Sequence, residues 1–177
     1  VLTEQGFVST GIDGVLRRVG VPKGSFYHYF DSKEAFGRAV LERYAAYFAR
    51  KLDRWLLDPE VSPLERLRRF TQDARDGMAR HDYRRGCLVG NLGQEVTLLP
   101  AGFGEQLEAI LQDWQRRVAV CLKLAQARGE LAIDANCESL AAYFWMGWEG
   151  AVQRARLVKG PEPLTLFSQE FFDRLPR

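Results

Sequence analysis

Apolar residues recur every three or four positions along most of this chain, the spacing of one buried helical face, and alternating strand-like runs are scarce. The expected fold class is all-α. Ser32-Lys33-Glu34 opens a long helix running to about Leu57, where Asp58-Pro59 ends it, and either Ser32 or Asp31 can cap its first turn. Phe36, Val40, Tyr44, Tyr47 and Phe48 form its expected buried stripe. Ser62-Pro63-Leu64-Glu65 marks the next start, with Ser as cap, Pro in the first turn and Glu completing a capping box; this helix should reach about Arg80. After a break at Tyr83–Gly86, a segment interrupted by Gly86, Gly90 and Gly93 extends from Cys87 to about Leu99. Each glycine lowers intrinsic helicity by up to ~1 kcal/mol relative to alanine, so a close approach of backbone or ligand is the expected reason for them.

Phe103–Arg128 is the longest helical pattern, with Leu107, Ile110, Leu111, Trp114, Val118, Cys121, Leu122 and Leu124 inward and Gly129 placed as a C-terminal cap. Asp134 or Asn136 begins a helix that runs to about Val158, and Pro163–Leu175 reads as a last amphipathic helix. The aromatic faces of these two helices would be exposed in an isolated chain. Phe144, Trp148, Phe167, Phe171 and Phe172 are therefore the candidates for a dimer interface, with closure of the monomer core the alternative for some of them.

The first part of the chain is patterned differently. Ile12–Val19 is a short helix, Gly20-Val21 a tight turn, and Lys23 onward a second short helix holding Lys23, Ser25, Tyr27, His28 and Tyr29. Phe26 and Phe30, four apart, face inward and leave those polar groups on the outer surface. A helix that only filled a core has no need of so many hydrogen-bonding groups; one laid in the major groove does, because it meets phosphates and base edges together. The two helices and their turn read as a helix-turn-helix. Val1–Phe7 reads as the end of a first helix.

Gly6-Phe7-x-Ser9-Thr10, Val19-Gly-Val-Pro-Lys-Gly-Ser-Phe-Tyr-His-Tyr-Phe30 and Asp31-Ser-Lys-Glu34 together resemble the DNA-binding domain of TetR-type bacterial repressors. The segments Arg84–Glu95 and Phe144–Ala151 resemble the ligand domain of one branch of that family, which includes an acrylate-responsive repressor and, more distantly, an electrophile sensor. The resemblance implies a helix-turn-helix domain over residues 1–34 and a ligand-binding and dimerisation domain over 35–177. It implies that Thr10 and Gly11 donate to phosphate at a helix start, and that Tyr27, Tyr29 and Lys33 also reach phosphates. Lys23, Gly24, Ser25 and His28 would lie nearest the base edges. The implied partners are double-stranded operator DNA, a second copy of the chain and a small effector such as acrylate.

Charge adds only a little. The net charge is +2, but residues 1–56 hold nine basic against six acidic side chains, so the excess sits on the half that would meet DNA. No apolar run approaches the ~20 residues of a membrane span, and the expected compartment is the cytoplasm. Cys87, Cys121 and Cys137 are an odd number without close spacing, and His28 and His81 add no ligand cluster, so neither a disulfide, a metal nor a cofactor is expected.

Cys87 stands out, because it follows Arg84-Arg85-Gly86 at a helix start, where positive charge and free amides favour a thiolate. Cys121 reads as core. Asn91, Gln94, Trp114, Tyr143 and Trp145, with Glu95, Arg117, Trp148 and Glu149, are the candidates to line a pocket between the long helix after residue 32 and the helices bearing Cys87, Trp114 and Trp145. Arg156 aligns with a lysine of the electrophile-sensing relatives. Two other readings compete with a repressor: a thiol enzyme using Cys87, for which no partner base is evident, and an architectural DNA-binding protein without a ligand.

Overall fold

A computed structural model describes residues 1–177, and every regular element in it is helical. The elements are α1 (Leu2–Gln5), α2 (Ile12–Val19), α3 (Lys23–Tyr29), α4 (Lys33–Leu56), α5 (Pro63–Ala79), α6 (Leu88–Gln94), α7 (Phe103–Ala127), α8 (Cys137–Val158) and α9 (Glu162–Asp173), with a short 3-10 turn at Val96–Leu98. Helices α2 and α3 pack on each other, α4, α5 and α7 form one bundle, and α8 lies between α7 and α9. Helix α6 bridges the two parts, touching α1 on one side and α4 and α7 on the other.

The caps show why the boundaries fall where they do. Ser32, not Asp31, caps α4, accepting from the Ala35 amide at 3.0 Å. Asn136, not Asp134, caps α8 by accepting from Ser139 N at 2.9 Å. The capping box expected at Ser62 does not form. The Glu130 carboxylate, arriving from the turn after α7, accepts from both the Ser62 hydroxyl (3.0 Å) and the Leu64 amide (3.2 Å), while Glu65 pairs with Arg69 along the helix. A long-range anion has replaced the local cap, so one contact both starts α5 and fixes it to the far end of α7.

The core runs through the molecule as one aromatic seam. Trp114 and Trp145 are fully enclosed, with ring centroids 5.1 Å apart, and Phe48, Phe70, Phe144 and Trp148 continue the contact. On α4 the deepest residues are Leu41, Leu52 and Leu56, with Tyr44 and Phe48 half-buried, whereas Tyr47 is exposed. Leu124, expected inward on α7, is also exposed; Cys121 is buried as expected and donates its thiol to the Pro63 carbonyl at 3.2 Å.

The aromatic faces of α8 and α9 meet each other within one chain. Phe144, Trp148, Phe171 and Phe172 are buried, and Phe167 is half-buried with its ring against the bare backbone of Gly147. Phe144, Trp148, Phe171 and Phe172 therefore belong to the monomer core, while Phe167 also reaches the surface beside Leu166. The sequence pattern could not separate core from interface, because both need an aromatic stripe at helical spacing. What α8 and α9 do leave exposed is Tyr143, Met146, Leu157, Val158 and Leu166.

Candidate nucleic-acid interface and effector pocket

Helix α3 is built to present one face. Gly20 takes a left-handed conformation (φ 67°) that turns the chain between α2 and α3, and Pro22 stands as the N-cap of α3. Phe26 is buried against Phe30 and Phe36, with centroids 5.4 and 5.5 Å away, which fixes the roll of the helix. Lys23, Gly24, Ser25, Tyr27, His28 and Tyr29 are consequently all exposed, Tyr29 at 76%. The expected outer face of the recognition helix is the face the fold presents.

Three of the expected DNA-contacting groups are engaged within the protein. Lys23 is paired with Asp13 of α2 at 3.0 Å. Lys33 donates to the Val8 carbonyl at 3.2 Å and lies over the Phe7 ring, tying the start of α4 to the segment before α2. Thr10 is only 4% exposed and its hydroxyl donates to the Gly6 carbonyl, so its side chain is not available to a phosphate. The reason is local: Thr10 closes the turn after α1. Gly11 is the exposed N-cap of α2, and no side chain occupies the free amides that follow it.

The second site is a cavity of about 440 Å³ between α1, α6 and the second half of α8, within the size range of small-molecule sites. Its walls include Cys87, Asn91, Gln94, Glu95, Glu149 and Arg156. Cys87, Asn91, Gln94, Glu95 and Glu149 thus come together as expected. Trp114, Trp145 and Trp148 do not join them, because they form the aromatic seam. Tyr143 lies on the outer surface, stacked on Phe171 at 6.3 Å, and Arg117 is tied to Asp53 and Asp113. The helical period of α8 explains the division: Met146, Glu149, Gly150 and Gln153 face the cavity, Phe144, Trp145 and Trp148 turn toward the core, and Val152 sits at the boundary between them.

The glycines explain the close packing. A β-carbon at Gly86 would lie 2.8 Å from Arg156 Cδ, and one at Gly90 would overlap the Glu149 carboxyl, whereas Gly93 borders open space and has no such reason. Glu4, Gln5 and Gly6 also line the cavity. No local pattern marks them, since they meet α6 and α8 only through tertiary contact.

The environment of Cys87 reverses the thiolate expectation. Arg84 turns out to Asp82 at 3.6 Å, and Arg85 pairs with Glu4 at 3.2 Å. Adjacent in sequence, they diverge in space. Cys87 is buried at the N-cap of α6, and burial pushes its thiol well above the ordinary value, with the Glu149 carboxyl pushing the same way. The Gly90 amide pulls the thiol down, as a helix start should, but is outweighed. Burial likewise pushes the Glu149 carboxyl up to about 7. Cys87 is therefore a neutral thiol.

The cavity is wired to the first helix. Asn91 donates to the carbonyls of Leu2 (3.3 Å) and Thr3 (2.9 Å), and the Gly86 amide also donates to Thr3 (2.9 Å). Arg156 bridges Asn91 Oδ1 (2.8 Å) and the Glu4 carbonyl (2.9 Å). Glu95 accepts from the amides of Phe7 (2.7 Å) and Val8 (3.2 Å).

Comparison with known proteins identifies the family of both halves of the chain. The family profile described as "Bacterial regulatory proteins, tetR family" matches residues 1–40, and that of "Tetracyclin repressor-like, C-terminal domain" matches 63–171. The chain is 54% identical over 170 residues to the transcriptional regulator AcuR of Cereibacter sphaeroides, covering 96% of this chain and 78% of that protein. It is 32% identical over 165 residues to the repressor NemR of Escherichia coli, covering 91% and 81%. The crystal structure of a regulatory protein TetR from Rhodobacter sphaeroides superposes with a TM-score of 0.96 at 52% identity, covering 98% of this chain and 92% of that one.

Proposed function

The chain belongs to the TetR family of DNA-binding transcriptional regulators, and on that premise we propose that it is a homodimeric repressor released from a palindromic operator by a small effector, acrylate or a related electrophile. The unit over residues 1–34 meets DNA and the unit over 35–177 binds effector and the second copy. In this reading Gly11, Lys23, Gly24, Ser25, Tyr27, His28, Tyr29 and Lys33 form the DNA-facing set. Thr10 serves as the structural latch of the turn that precedes α2. Lys23 exchanges Asp13 for the nucleic acid, and Lys33, with two of its three N–H groups free of Val8, reaches a phosphate. Cys87, Asn91 and Gln94 form the effector site.

The observation that carries this reading is the hydrogen-bonded bridge from α6 to α1. Asn91 and Glu95 line the cavity and at the same time hold the backbone from Leu2 to Val8. An effector that moves α6 therefore moves the segment on which α2 and α3 stand. Only the differential affinity of the effector for the two arrangements can shift the equilibrium between them. An acid of about five non-hydrogen atoms has little binding energy to offer, so capture close to Cys87 suits it better than loose occupancy.

Fluorescence anisotropy of the protein on DNA from upstream of its own gene tests this. Release is expected on titration with acrylate or methyl acrylate but not with propionate, the saturated control. Tight binding indifferent to all three would remove the unsaturated effector and leave the DNA-binding function standing.

A further inference from the structure

Three reactive groups from three helices converge at the cavity wall, Cys87 and Glu149 lining it and Tyr44 behind them. Cys87 is the N-cap of α6, Tyr44 approaches it from α4, and Glu149 approaches from α8. The Glu149 carboxyl rests on the bare Cα of Gly90, and the Cys87 β-carbon lies 3.7 Å from where a Gly90 β-carbon would stand. Any larger residue at that position would part the carboxyl from the thiol. Glu149 forms no salt bridge, and the polar groups that share its buried site are the Cys87 thiol and the Tyr44 hydroxyl. Arg156, the cation on the same wall, lies seven residues along α8, roughly 10 Å away, and is already held by Asn91 and the Glu4 carbonyl. Glu4 is engaged by Arg85 and Arg18, and Glu95 by the Phe7 and Val8 amides.

We propose that Glu149 is the proton acceptor and donor for covalent addition of Cys87 to an α,β-unsaturated carbonyl effector. This rests on the cavity being the effector site and goes beyond it by naming the chemistry. As the thiol sulfur bonds to the β-carbon, the S–H proton passes to the Glu149 carboxylate and the π-electron pair moves toward the carbonyl. Glu149 then returns that proton to the α-carbon. The product is a thioether that holds every atom of both reactants; nothing is oxidised or reduced, and the carboxylate is regenerated. A buried thiol held neutral cannot attack unaided, so a base within reach supplies what the two neighbouring arginines do not. The Tyr44 hydroxyl, buried beside Cys87 and held protonated by that burial, steadies sulfur as charge develops. The remaining charged groups around the cavity, Glu4, Glu95 and Arg156, all have partners. An uncharged unsaturated carbonyl therefore meets less repulsion here than a free anion does.

The test follows the rate at which intact-protein mass rises by one methyl acrylate at Cys87, with Cys87→Ser as the blank. Wild-type protein should label with a pH profile that inflects near 7, where Glu149 loses its proton. Glu149→Gln should label on the order of a hundred-fold more slowly at pH 7.5 and lose that inflection, while still binding operator DNA. Labelling of Glu149→Gln within about two-fold of wild type would overturn the assignment while leaving the effector site intact. Should Glu149→Gln fail to fold, a wild-type profile without an inflection between pH 6 and 8 overturns it equally. An unlabelled wild-type Cys87 would instead overturn covalent capture itself.

Discussion

At the scale of single residues, Glu149 carries the clearest thermodynamic consequence. Its carboxyl titrates at about 7 in the folded chain against 4.5 when solvated. Below pH 4.5 both states hold the proton and nothing is lost. Between 4.5 and 7 the unfolded chain ionises freely while the folded one must keep the proton, so stability falls as pH rises, by about 3 kcal/mol in all. Glu149→Gln should therefore match wild type near pH 4 and exceed it by up to about that amount at pH 8, read as urea midpoints across the pH range. Equal midpoints at both ends would show that the carboxyl is solvated. The same neighbourhood shows what a sequence reveals of a site. Cys87, Asn91, Gln94, Glu95 and Glu149 were legible as polar or reactive groups in glycine-broken or aromatic segments, and they do share one cavity. The state of the thiol was not legible. Arg84 and Arg85 are neighbours of Cys87 along the chain, but their guanidinium groups leave for Asp82 and Glu4, whereas the decisive Glu149 lies 62 residues away.

At the scale of elements, all-helical structure and helix order follow from apolar spacing and from Pro, Gly and Ser punctuation. The errors fall where a helix has two apolar faces or where its cap comes from elsewhere. Tyr47 and Leu124 extend genuine stripes yet point outward, because α4 and α7 bury only the face turned to the bundle. The trio Trp114, Trp145 and Trp148 was expected at the cavity because tryptophan fits either a core or a pocket, and period alone does not say which side of α8 is enclosed. The start of α5 offers a direct test of the cap that local sequence could not show. Glu130→Ala removes the acceptor for both Ser62 Oγ and Leu64 N and should destabilise the chain by about 1–2 kcal/mol. Ser62→Ala, which leaves the Leu64 amide bonded to Glu130, should cost less. Chemical denaturation of the two variants distinguishes this arrangement from a local Ser cap, for which the order would reverse.

At the scale of the whole molecule, the proposed homodimer needs a surface to pair two copies. A single recognition helix contacts one half-site, and specific binding by helix-turn-helix proteins comes from two helices spaced about 34–36 Å apart on one face of the duplex. Phe144, Trp148, Phe171 and Phe172 are taken up by the packing of α8 against α9 within one chain. One apolar surface on the same two helices is a shallow cleft lined by Ala151, Val158, Pro163, Leu166 and Phe167, with Leu157 (73% exposed) and Leu166 (61%) beside it or within it. Arg154, Glu162 and Glu170 also line this cleft, giving it the apolar centre and polar border of a self-complementary contact. Burying such a patch between copies removes exposed apolar area at about 25 cal/mol per Å² before the costs of association. Leu166→Glu places a charge at its centre without touching the core. It should leave helix content and the thermal midpoint of the chain near wild type, shift sedimentation toward the monomer at micromolar concentration, and weaken operator binding by at least about ten-fold. Phe144→Ala should behave in the opposite way, losing about 3–5 kcal/mol of folding stability because it opens the seam between α5, α8 and α9. If Leu166→Glu sediments as a dimer with operator affinity unchanged, the pairing surface lies away from α8 and α9. The two recognition helices would then be spaced by some other part of the chain.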